Sequence, residues 1–87
     1  MTCRLLIDYQ VIEFLESLPP KDRRLLRGRF LAIQNDPQNF SDYVGSAGAS
    51  HRVDINLHGK FAIKYWQDHA DQHVKILDIT LADKRDC

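Results

Sequence analysis

Residues 51–81 constrain the fold most tightly. HRVDINLHGKFAIKYW alternates apolar and polar residues on either side of His58-Gly59, and after the polar stretch 67–72 comes the run HVKILDITLA. A period of two is that of a strand burying one face, and His58-Gly59 suits a tight hairpin turn in which glycine supplies positive φ. The pattern predicts one strand with Val53, Ile55 and Leu57 facing inward and Arg52, Asp54, Asn56 and His58 facing outward. Its partner sets Phe61, Ile63 and Tyr65 against Lys60, Ala62, Lys64 and Trp66. The final run is apolar at Val74, Ile76, Leu77 and Ile79, on both faces, which predicts a strand lying centrally in the sheet.

Upstream, residues 4–7 are β-prone, and residues 9–18 repeat apolar positions at helical spacing through Val11, Phe14, Leu15 and Leu18. Asp8 is placed to cap that helix, and Pro19-Pro20 ends it. Pro20 also suits the first position of a second helix, where its missing N–H costs nothing. Leu26, Phe30 and Ile33 form the inward stripe of that second helix, with Leu25 at its edge, and Asn35-Asp36-Pro37 stops it. Residues 36–50 read as one long irregular segment, glycine-containing, with Phe40, Tyr43 and Val44 partly docked. The expected order is β-α-α-β-β-β: an α+β fold in which a helical hairpin packs on a small, mainly antiparallel sheet.

At 87 residues the chain has room for one core, so residues 1–87 are expected to form a single domain. Lys and Arg number twelve, as do Asp and Glu, for a net charge of zero, so any anion binding must come from local clustering. No apolar run approaches the roughly 20 residues of a membrane span, and the N-terminus lacks the apolar length of a signal peptide. Two cysteines, Cys3 and Cys87, are too few for a disulfide framework. A reducing, cytoplasmic setting is the expectation, with no membrane partner.

Four constellations could carry chemistry. Across the predicted hairpin, Arg52, Asn56 and His58 would lie near Lys60 and Lys64, a set able to position a phosphodiester, with His58 available for proton transfer near neutral pH. The same row also reads as a solvated sheet face, and Asp54 within it repels phosphate. Lys21, Arg23, Arg24, Arg27 and Arg29 make a basic run in which Lys21, Arg24 and Arg27 point away from the apolar stripe. That face could bind a partner or simply be solvated. Two His and two Asp within residues 68–73 offer metal-ligand types, but their spacing matches no closed zinc pattern, so no metal or other cofactor is expected. Glu13 and Glu16 read as solubilising charge.

The whole chain resembles the RelE/ParE superfamily, the toxins of bacterial type II toxin–antitoxin systems. The resemblance lies in the helical hairpin VIEFLESLPPKDRRLLRGRFLAI, the Asp36-Pro37 stop with its glycine-containing loop, the hairpin HRVDINLHGKFAIKYW, and the closing ILDITLADKR. It implies a small α+β toxin neutralised by a cognate antitoxin segment wrapped on its surface. In the RelE-like branch it implies a metal-independent endoribonuclease, an mRNA interferase cutting message on the ribosome and inhibiting translation. In the ParE-like branch it implies inhibition of DNA gyrase and a role in plasmid stabilization. Carried over by position, Arg52 matches the basic residue opening the first hairpin strand, Tyr65 the aromatic closing the second, and Lys84 or Arg85 the basic position after the last strand. The family's central hairpin arginine falls on Ala62, and the only Tyr or His after Trp66 are His69 and His73, both before the last strand. On this reading Arg52, His58, Lys64 and Arg85 are the catalytic candidates and Arg52, Lys60, Lys64, Lys84 and Arg85 hold RNA phosphate. Lys21, Arg24 and Arg27 contact the partner. A catalytically degenerate protein-binding module stays open beside these readings, as do gyrase inhibition and RNA cleavage.

Overall fold

Both helices form where the spacing predicts. A computed structural model describes residues 4–47, 51–68 and 70–81, with backbone alone at residues 46, 47, 51 and 52. After strand β1 (Arg4–Ile7) come helices α1 (Tyr9–Glu16) and α2 (Pro20–Asn35), then strands β2 (Tyr43–Ala47), β3 (His51–His58), β4 (Phe61–Asp68) and β5 (His73–Leu81). Asp8 caps α1, its carboxylate accepting from the Tyr9 N–H. Pro20 opens α2, and the Asp36 N–H bonds back to Ala32 O at the helix end.

The strands form one sheet in the order β1-β5-β4-β3-β2, antiparallel except for β1 alongside β5. The last strand is thus interior, as its apolar sequence requires. Both helices cover one face. Val11, Leu26, Phe30 and Ile33 pack there on Phe61, Ile63, Tyr65, Val74, Ile76 and Ile79, forming one buried cluster. Leu26, Ile33, Ile63 and Ile76 have no exposed surface, so truncating any of them to Ala costs about 2–5 kcal/mol. Among the described residues, no helix covers the opposite face.

Two sequence expectations are corrected. The irregular segment 36–50 contains β2, which pairs antiparallel with β3 from Tyr43↔Ile55 to Ala47↔His51. Its Gly45-Ser46-Ala47 half carries no strand signal in sequence, and register with β3 supplies what propensity does not. Phe40 packs against the core as expected, whereas Tyr43 and Val44 are exposed.

The second correction inverts β3. Asp54 pairs with Tyr65 and Asn56 with Ile63, and directly paired residues share a face. Asp54, Asn56 and His58 therefore look toward the helices, and Ile55 and Leu57 share the open face with Lys64 and Ala62. Asp54 is 1% exposed while Leu57 is 47% exposed. Segment 37–42 explains the inversion, because it lies over Asp54 and Asn56 and supplies their partners. Asp54 accepts from Ser41 Oγ at 2.7 Å and from Gln67 Nε2 at 3.0 Å. Asn56 Nδ2 donates to Phe40 O at 2.8 Å and to Asp42 Oδ2 at 3.1 Å. The Tyr65 hydroxyl donates to Pro37 O at 2.6 Å from a fully buried ring. That phenol anchors the segment from within the core.

Candidate functional site

The β3 inversion divides the cation set expected on the hairpin. Lys64, paired with Ile55 on one side and Asp78 on the other, stands on the open face. There Tyr43, Ile55, Ala62, Lys64, Asp78 and Thr80 line a hollow of about 210 Å³. Asn56 lies on the other face, under segment 37–42, with its Oδ1 buried and unpartnered. His58 and Lys60, at the β3–β4 turn, are held by α2. The structure therefore does not gather Asn56, His58, Lys60 and Lys64 into one anion site.

His58 has a defined environment. Arg29 Nη2 lies 2.6 Å from its Nδ1. A guanidinium can only donate, so Nδ1 accepts and the ring is neutral with its proton on Nε2. Burial lowers the His58 pKa from its ordinary value, and the Arg29 charge lowers it further. The same guanidinium stacks over Phe40, 4.8 Å from the ring centre. His58 thus joins α2, the hairpin turn and segment 37–42, which corrects its placement beside Lys64. Two residues on, Lys60 reaches Asp22 of α2 at 3.4 Å and lies over the Phe61 ring at 5.5 Å.

The basic helix face is present as expected. Lys21, Arg24 and Arg27 are exposed, and Pro20, Arg23, Arg24 and Arg27 border a shallow concavity of about 330 Å³. Leu25 and Leu31 are 43% and 56% exposed, and a Cβ added at Gly28 would meet nothing within 4 Å. Lys21, Arg24, Leu25, Gly28 and Leu31 recur at three- and four-residue spacing, so they form one helix face. Sequence reasoning took the cations of this face and missed its apolar members. The exposed side of Leu25 and Leu31 shows only once the inward stripe is fixed.

For Arg52 the backbone register with Ser46 is described, and the side chain lies outside the description. Lys84 and Arg85 lie outside the described residues. Around the β4–β5 loop, three of the metal-ligand types noted within residues 68–73, Asp68, Asp71 and His73, come within reach of one another. No described helix is long and apolar enough to cross a membrane.

No protein-family profile matches the sequence, and no curated protein sequence matches it significantly. The structure, by contrast, matches a chain of the archaeal RelE–RelB complex from Pyrococcus horikoshii OT3 with a TM-score of 0.80 at 22% identity, covering 98% of this chain and 100% of that one. It matches a chain of the toxin–antitoxin complex RelBE2 from Mycobacterium tuberculosis with a TM-score of 0.80 at 16% identity, covering 95% of each. The protein has, over nearly its whole length, the fold of a chain found in each of these two complexes.

Proposed function

We propose that this chain is the toxin-type half of a type II toxin–antitoxin pair, and that its main physical activity is tight binding of a cognate antitoxin. The observation that carries this reading is the near-complete fold match to chains solved within RelE–RelB and RelBE2 complexes. The face of α2 supports it. Leu25 and Leu31 are apolar and exposed, Gly28 leaves a flat site for close approach, and Lys21, Arg24 and Arg27 surround them. An amphipathic acidic helix complements such a face, its apolar stripe on the leucines and its carboxylates on the cations. Among the described residues strand β2 lies at the edge of the sheet, with Tyr43 and Val44 about half exposed.

The test is induction of the chain alone and together with the protein encoded beside it. Growth arrest relieved by the neighbour, with the two copurifying, is the expected result. Leu31→Asp with Arg27→Glu should weaken that capture. A chain that is harmless when induced and captures no neighbour overturns the reading.

A second reading, metal-independent RNA cleavage, draws on the open-face hollow, where Lys64 stands beside the exposed Tyr43. Such chemistry needs a base, an acid and charge stabilisation, with Arg52 and Arg85 as further candidates. His58 is a weaker candidate than the sequence suggests, because Arg29 engages its Nδ1. Lys64→Ala abolishing transcript cleavage in primer extension would favour this reading. Loss of supercoiling activity with intact transcripts would point to gyrase instead. The dispersal of the described hairpin cations favours binding over cleavage.

A further inference from the structure

The β4–β5 loop holds a set of ligand-type side chains that neither the helix face nor the open-face hollow uses. Asp68 and His73 are register partners at its base, so their side chains leave the sheet on the same side. Asp68 Oδ1 accepts from the N–H groups of Ala70 and Asp71 at 3.0 and 3.1 Å, which closes a side-chain-capped turn. Gln72 takes a positive φ of 54°, reversing the chain just before β5. This turn folds Asp71 back toward the strand ends. One ligand atom from each of Asp68, Asp71 and His73 then lies within 4.8 Å of the others.

His73 is the unexpected member. It is 8% exposed, and its Nδ1 is buried without a hydrogen-bond partner. A buried polar nitrogen left unpaired costs free energy, and here no protein group relieves it. The ring is held edge-on to Trp66, with centroids 5.6 Å apart, so its orientation is set by packing. No ion pair to the Asp68 or Asp71 carboxylate is present among the described residues.

We propose that Asp68, Asp71 and His73 form a binding site for a divalent transition-metal ion of the zinc type, with solvent completing the coordination. Two carboxylates and one imidazole suit zinc, cobalt, nickel or manganese, whereas calcium and magnesium favour all-oxygen shells. Metal–ligand distances of about 2.0–2.2 Å require the three ligand atoms to close inward modestly. The exposed Asp71 side chain can make that movement while His73 stays fixed. Three protein ligands leave a coordination position open, as in sites that bind a further small ligand. The ligands meet through hairpin register, which is why no familiar spacing announces them.

The test uses the full chain stripped with chelator and titrated with Zn²⁺ and with Co²⁺, followed by calorimetry, visible absorption of cobalt and thermal melting. One ion per chain and a metal-dependent rise in Tm are expected. Asp71→Asn changes an exposed side chain, so it should leave the metal-free Tm unchanged and weaken binding by about tenfold or more. His73→Gln should abolish binding if that variant folds. Absence of binding by the parent chain overturns the proposal. Equal affinity in the parent and in Asp71→Asn overturns it too, by assigning the ion to other His or Cys side chains.

Discussion

The two faces of the sheet carry similar residue types and treat them in opposite ways. On the covered face Asp54 and Asn56 are nearly fully buried beside Ile63 and Tyr65, within a web supplied by Ser41, Phe40, Asp42 and Gln67. On the open face Leu57 and Tyr43 are about half exposed around Lys64. Polarity therefore does not decide which face meets solvent. The availability of hydrogen-bond partners and helix packing decides it, because a buried polar group is tolerated when it is bonded.

That contrast can be broken at several points. The largest effect is expected from Phe30→Ala, which empties the covered side and should cost about 3–5 kcal/mol in chemical denaturation. An equal loss for Leu57→Ala would erase the distinction between the faces. Next comes Asp54→Ala, which leaves the Ser41 hydroxyl and Gln67 amide without their acceptor and should cost about 1–3 kcal/mol. A neutral outcome would mean that the web does not hold β3 in its inverted register.

A smaller effect is expected from pH. Because the folded-state pKa of His58 is lowered, the unfolded chain takes up its proton first as pH falls. The stability contributed by neutral His58 is complete above its unfolded value, about 6.5. It declines as pH drops through that value toward the folded one. Urea midpoints for the parent and His58→Gln at several pH values should diverge above 6.5 and converge below it, and parallel curves would exclude the link. The smallest stability change is expected for Lys64→Ala, about 0.5 kcal/mol or less. Any sizeable consequence of that substitution should appear in binding of a partner or nucleic acid.

Much of the architecture is legible in sequence because local signals agree. Asp8, Pro20 and the Leu26–Phe30–Ile33 stripe fix both helices without reference to anything distant. The strands of the hairpin are equally plain, but their facing is not. Alternation shows that two faces differ, and it does not say which one a distant segment will cover. Residues 37–42 reverse the assignment by bringing partners to Asp54 and Asn56, and no period in the β3 sequence encodes that arrival. The candidate site suffers for the same reason. His58 and Lys64 look adjacent on a strand diagram, yet His58 pairs with Phe61 and Lys64 with Ile55, which sets the two on opposite faces of the sheet. Strand β2 escapes notice because its pairing residues include Gly45 and Ser46.

The pairing of β1 with β5 sets when this molecule can fold as it is made. Arg4↔His73 through Ile7↔Ile76 unite the earliest strand with the latest, and Val74, Ile76 and Ile79 form part of the platform on which both helices rest. A nascent chain that has emerged only as far as the hairpin therefore holds two amphipathic helices without their complete seat. Such long-range closure slows folding and leaves apolar surface uncovered until β5 has emerged. Chains cut short within β5 should accumulate as aggregates or be degraded, because the seat of both helices is then incomplete.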